Sequence, residues 1–188
     1  MIYPIVAYGD PVLRAKAKDI ALDAPELPKL IEDMFETMYH AHGVGLAAPQ
    51  IGKSVRLFVI DSTPFMEDED KDKGVKKAFI NPVILEESGE EWGFDEGCLS
   101  IPGVREEVWR QEYVKIQYQD LDGKTHVEQF DDLTARVIQH EYDHIEGILF
   151  TDHLSGLKKR LLKGKLTKIS KGDVDADYRM KFAGMNKR

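Results

Sequence analysis

The feature that most constrains this chain is the stretch QHEYDHIEG, which runs from Gln139 to Gly147. It contains His140 and His144, whose four-residue spacing brings both side chains to one face of a helix, about one turn apart. Two imidazoles arranged in this way can reach a single metal ion, and Glu141 lies close enough on that face to touch a water at the ion. The stretch therefore predicts a helix that carries part of a metal site, unless the pattern is a chance grouping of structural side chains.

The surrounding pattern predicts an α+β domain. Apolar periodicity and stop signals predict helices over 25–42, over about 133–146 and from about 155 onward. Runs rich in β-branched and aromatic residues predict strands over 55–61, 78–85, 113–119 and from the turn at 122–123 to about 130, with a polar loop over 62–77. Strands grouped between helices favour α+β over a parallel βαβ sheet.

The composition is that of one globular domain. The chain has 188 residues, of which 42% are hydrophobic and 32% charged, so it can bury a core without disulfides. We expect one domain over 1–171 and a C-terminal tail of uncertain order over 172–188, where periodicity fades. The chain has no long apolar run and no signal-peptide pattern, and Cys98 is its single cysteine. These features favour a cytoplasmic protein without a membrane segment.

The third metal ligand decides between chemistries. A thermolysin-type peptidase takes a glutamate from a later helix, but none follows Glu146, and a metzincin-type motif would need a histidine where Phe150 stands. Asp152 and His153 lie beyond the predicted helix end. The remaining candidate is Cys98; a lone cysteine is most often a small core residue, yet this one lies between a glycine and a Pro-Gly pair, where its thiolate could complete a catalytic Cys-His-His site. A zinc endopeptidase and a non-catalytic protein with a structural metal both remain open at this point.

Three segments, in this order, resemble the signature motifs of the peptide deformylases: GVGLAAPQIG at 43–52, EGCLS at 96–100 and QHEYDHIEG at 139–147. GDPVLR at 9–14 resembles the N-terminal region of the same family, and the resemblance covers roughly residues 2–155. It implies an α+β fold in which antiparallel sheets pack around a central HExxH helix, with one helix N-terminal and one C-terminal to them. The 62–77 loop is longer than the shortest members need, and the segment after 172 has no assigned counterpart.

The resemblance implies a metal-dependent hydrolase that removes the N-formyl group from the formyl-methionine of newly synthesised proteins and releases formate. Carried over motif by motif, the metal ligands are Cys98, His140 and His144. The family's ion is usually ferrous iron in the cell, although zinc, nickel or cobalt can occupy the site. Softness of the donors by itself suits zinc.

The same resemblance assigns the catalytic groups. Glu141 is expected to accept the proton of the attacking water and to deliver it to the departing amine. Gln50 and the backbone N–H of Leu99 are expected to stabilise the oxyanion, and loss of such a donor typically costs on the order of 3 kcal/mol. Glu96 and Arg105 are predicted to form a structural ion pair across the turn that follows the cysteine.

Substrate contacts are predicted around the metal ligands. Val44, Leu133 and Val137 are expected to line an apolar slot for the methionine side chain, the last two because they lie seven and three residues before the first histidine of the motif. A role in the core is an equally good explanation for these three. Gly45 lies in a stretch with Gly43 and the small residues Ala47 and Ala48, which permits the close approach of an extended peptide. Gly97 is also expected to contact the substrate.

Charge gives expectations about partners. The formal net charge of −8 argues against DNA binding. The family resemblance implies formyl-methionyl nascent peptides as partners. The segment 157–171, LKKRLLKGKLTKISK, holds seven basic residues and no acid. It is either a solvated helix face or a contact with ribosomal RNA.

Overall fold

The computed structural model describes residues 1–67 and 72–185. Within these residues the α-helices are α1 (Leu27–His40), α2 (Asp132–Ile145) and α3 (Gly156–Ser170). The strands are β1 (Ile5–Val6), β2 (Gly45–Ala47), β3 (Leu57–Asp61), β4 (Lys76–Cys98), β5 (Ile101–Gln119), β6 (Thr125–Phe130) and β7 (Met180–Lys181). This combination of helices with a largely antiparallel sheet confirms the predicted α+β class.

The main sheet is antiparallel, with the strand order β2-β3-β4-β5-β6, and a separate parallel ribbon joins β1 to β7. β4 and β5 are 23 and 19 residues long and form one hairpin, which is bent where the register shifts. Within this hairpin, the sequence predicted strands only over 78–85 and 113–119. The missed part of β4 is rich in glutamate and glycine, which have low strand propensity, and it is extended because it pairs with β5.

The core lies on both faces of the sheet. Leu57 and Val59 of β3 pack with α1 on one face, whereas Phe58 and Ile60 pack with α2 on the other. Successive side chains of a strand point to opposite faces, so a strand covered on both sides needs a continuous apolar run. This explains the sequence LFVI and shows how the sheet supports α2.

Helix α2 lies at the centre of the domain. Its bounds are within one residue of the predicted 133–146, and ten of its fourteen residues are buried. Gly147 ends it with a φ of 77°, and a Cβ there would lie 2.5 Å from the carbonyl oxygen of Arg14. The glycine therefore both stops the helix and lets the N-terminal segment pack closely against it.

The two less regular segments are partly structured. The 62–77 loop contains a short 3₁₀ helix at Thr63–Phe65 and leads into β4, while residues 68–71 lie outside the described part. Most of the segment after 172 returns to the domain, where β7 pairs with β1; residues 186–188 are not described. The boundary at residue 171 between the domain and the C-terminal tail stays a prediction. In the described ranges, no helix is both long and apolar enough to cross a bilayer.

Candidate metal centre

The structure brings the three predicted ligand residues together. The donor atoms of Cys98, His140 and His144 all lie within 4.8 Å of one another, and Cys98 Sγ is 3.3 Å from His144 Nε2. Cys98 is the last residue of β4, while both histidines are on α2. Bond lengths of about 2.3 Å to sulfur and 2.0 Å to nitrogen in a tetrahedral site put ligand atoms roughly 3.5 Å apart. The donor set and its spacing therefore fit a single metal ion.

Glu96 orients the first histidine from behind. Its Oε2 is 2.8 Å from His140 Nδ1, which leaves Nε2 of that ring for the cluster. Arg110 donates to the same carboxylate at 2.6 and 3.1 Å, and Arg136 at 3.0 Å. Burial would raise the pKa of Glu96, but the hydrogen bonds from His140 and Arg110 hold that pKa well below its usual range. The carboxylate is therefore ionised and fixed.

The predicted ion pair between Glu96 and Arg105 is wrong. In the β4–β5 ladder Arg105 stands opposite Gly97, whereas Glu96 stands opposite Glu106. Neighbouring positions point to opposite faces of a sheet, so the two side chains diverge, and Arg105 donates to the carbonyl oxygen of Asp95 instead. The same alternation puts Glu96 on the same face as Cys98. The sequence could have predicted this placement only if the segment had been recognised as a strand.

Burial also affects the charge of the second histidine. His144 is 1% exposed, and burial together with the neighbouring His140 lowers its pKa to about 3. The imidazole is consequently neutral at physiological pH, the form that binds metals.

Glu141 is a buried carboxyl group beside the ligand cluster. It is 4% exposed, and its Oε2 has no hydrogen-bond partner in the described part of the chain. Burial is the main cause that raises its pKa to about 7. A Cβ at Gly45 would collide with this carboxyl group, so the glycine provides the space that Glu141 occupies. A carboxyl group with this pKa can exchange a proton near neutral pH.

Gln50 contacts the centre from the short 3₁₀ helix Ala48–Ile51, and it is 1% exposed. Its Oε1 accepts a hydrogen bond from the Ala47 N–H at 2.9 Å, which fixes the orientation of the amide. Its Nε2 then lies 3.5 Å from Cys98 Sγ and 3.3 Å from Ser100 Oγ. A rigid N–H donor is therefore held at the edge of the cluster.

An open cavity of about 500 Å³ lies over these groups. Most of the predicted substrate and catalytic residues form its walls, namely Val44, Gly45, Gln50, Gly97, Leu99, Val137 and Glu141. Leu133 is partly buried but is not among the described residues that line the cavity, so its contact with substrate stays a prediction.

Several residues of the cavity wall were not predicted from the sequence. Phe65 and Phe94 meet edge to face, with ring centroids 6.5 Å apart, and Arg105 lies nearby in the lining. Phe94 is four residues before Cys98 on β4. Had this segment been predicted as a strand, period-two alternation would have put Phe94 on the same face as Cys98. The segment 175–178, from the C-terminal part of the chain, completes the wall and gave no local signal.

Comparison with known proteins agrees with this geometry. The chain matches the family model described as polypeptide deformylase over residues 2–160. It is 65% identical to the peptide deformylase of Cytophaga hutchinsonii, with 97% of this chain and 98% of that protein covered. It is 59% identical to the peptide deformylase of Christiangramia forsetii, with 100% and 99% covered.

Solved structures agree in fold. The peptide deformylase of Thermotoga maritima superposes with a TM-score of 0.74 at 44% identity, covering 82% of this chain and 99% of that one. The peptide deformylase of Legionella pneumophila gives a TM-score of 0.78 at 42% identity, covering 92% and 98%. The family model matches most of the chain, the relatives are covered over nearly their whole length, and the fold is shared. The chain therefore belongs to the polypeptide deformylase family.

Proposed function

We propose that Cys98, His140 and His144 hold one divalent metal ion and that Glu141 moves the proton during hydrolysis. As a member of this family, the chain is a hydrolase that removes the N-formyl group from nascent peptides. The observation that carries the residue assignment is the cluster of three donor atoms within 4.8 Å, next to a buried carboxyl group.

An ion held by Cys98, His140 and His144 would supply Lewis-acid chemistry to the formyl carbonyl and to the attacking water. Glu141 accepts a proton from the attacking water on its carboxylate and gives that proton to the leaving amine nitrogen. The raised pKa of Glu141, about 7, supports both directions of transfer at neutral pH. The ion itself is proposed to be Fe²⁺, with Zn²⁺, Ni²⁺ or Co²⁺ able to take its place. Metal analysis of protein purified without oxygen tests the identity of the ion.

Gln50 Nε2 and the backbone N–H of Leu99 are proposed to donate hydrogen bonds to the formyl oxygen as negative charge develops on it. The fixed amide of Gln50 supports this role, since a donor that is already oriented needs no rearrangement during reaction. Both residues line the cavity, as an oxyanion donor must.

The substrate is proposed to bind as an extended chain along Gly45 and Gly97. β2 is an edge strand of the main sheet, and an edge strand offers backbone groups to a peptide. Val44 and Val137, which line the same cavity, supply apolar surface for the methionine side chain.

A cytoplasmic location stays a prediction.

Release of formate from formyl-Met-Ala-Ser tests this proposal, with casein fragments as the competing substrate. Glu141→Gln should keep its metal and lose on the order of 10²–10⁴-fold in kcat, the usual contribution of a general base. Cys98→Ala should lose metal stoichiometry. Glu106→Gln, which makes the same charge change outside the cavity, is the control. Full activity in Glu141→Gln, full metal content in Cys98→Ala, or cleavage of casein without formate release would contradict the assignment.

A further inference from the structure

The two ends of the chain hold the turn that follows Cys98. The carbonyl oxygen of Leu99 accepts a hydrogen bond from the Tyr178 hydroxyl at 2.8 Å. The next carbonyl oxygen, that of Ser100, accepts one from the backbone N–H of Tyr8 at 2.9 Å. Two successive peptide groups beside the ligand cluster are thus fixed from outside the β4–β5 hairpin.

The C-terminal segment is itself fixed. β7 pairs with β1 through hydrogen bonds of 2.8 Å from Ile5 N–H to Arg179 O and from Ala7 N–H to Lys181 O. Val174, Met180 and Phe182 pack against a core cluster that Cys98 also contacts. This anchoring presents Tyr178 to the turn on a segment tied down on both sides.

Tyr178 serves the site in two ways. Its ring lies in the cavity wall and packs, together with Leu99, against the core cluster that contains Leu46. Its hydroxyl holds the Leu99 carbonyl, which restrains the backbone dihedrals of Leu99 and with them the direction of the Leu99 N–H. Burial raises the pKa of Tyr178 to about 12, so the hydroxyl keeps its proton and remains a donor.

We infer that Tyr178 is a positioning residue for deformylation, which holds the Leu99 N–H in line with the formyl oxygen through its bond to the Leu99 carbonyl. The inference rests on the proposed role of that N–H in stabilising the oxyanion. By this inference, the C-terminal segment, which has no assigned counterpart in the family motifs, contributes a positioning residue to the active site.

The test is Tyr178→Phe, which removes the hydroxyl and keeps the ring. We expect kcat for formyl-Met-Ala-Ser to fall about fivefold, the size of one net hydrogen bond, while KM and metal content stay at wild-type values. In zinc-loaded protein the carbonyl ¹³C resonance of Leu99 should move, because its hydrogen bond is lost. Tyr178→Ala also removes part of the cavity wall and should raise KM as well.

Tyr3→Phe is the control, because Tyr3 packs against the same core cluster without lining the cavity. A wild-type kcat in Tyr178→Phe overturns the inference, whatever happens to thermal stability, and so does an equal loss in Tyr3→Phe. If wild-type protein releases formate and Glu141→Gln does not, an unchanged Tyr178→Phe refutes only the role of Tyr178. Absence of formate release by the wild type would instead refute the proposed function.

Discussion

Glu96→Gln is the sharpest test of how the centre is held together. The change keeps the side-chain volume but removes the charge that accepts four hydrogen bonds from Arg110, Arg136 and His140. The two arginines are 6% and 3% exposed, so the variant leaves buried positive charge without its main partner. Breaking a buried pair in this way costs about 3–5 kcal/mol. For a chain of this size that loss lowers Tm by roughly 6–20 °C.

The same substitution should weaken metal binding. Glu96 is the group that orients His140 and increases the basicity of its ring, and loss of such a partner typically lowers metal affinity by about 10–100-fold. Urea unfolding in excess chelator measures the stability term by itself, because bound metal would otherwise stabilise the folded state. Competition with a chelator of known zinc affinity measures the binding term.

Glu106→Gln is the matched control, since Glu106 stands directly opposite Glu96 in the β4–β5 ladder. Its partner is Lys158 at 3.1 Å, in a pair whose side chains are 25% and 42% exposed. An exposed pair of this kind contributes under about 1 kcal/mol. If Glu96→Gln resembled this control in both urea midpoint and zinc affinity, the assignment of Glu96 as the group that holds His140 would be refuted.

Two further outcomes are expected. Gly45→Ala puts a Cβ where the Glu141 carboxyl group lies, so kcat should fall on the order of 100-fold with metal retained. Gly164→Ala, in an open helical position, is the control. Equal activity of the two variants would contradict the steric argument. Neutralising Lys158, Lys159 and Arg160 on α3 should weaken co-sedimentation with ribosomes if the basic segment contacts ribosomal RNA, and unchanged co-sedimentation would leave that segment a solvated face.

Local patterns predicted α2 well because its signals are local. Apolar periodicity, acidic residues at its start and Gly147 at its end all act within a few residues of one another. By contrast, the outer part of β4 contains Glu86, Glu87, Glu90 and Glu91, whose propensity argues against a strand. Pairing with β5, which comes later in the chain, decides its conformation. A prediction from local sequence has no access to that partner.

The sequence by itself determined which residues are candidates for the metal site: two histidines one helical turn apart and a single cysteine in a distant motif as ligands, with a glutamate beside the histidines as the base. The tertiary structure decided what surrounds them. It brought Glu96 behind His140 through the strand register, put Gly45 against Glu141, and completed the cavity wall with Tyr178 from the end of the chain. Ligand types and helical spacing are local chemistry, whereas orientation and enclosure depend on contacts between residues tens of positions apart.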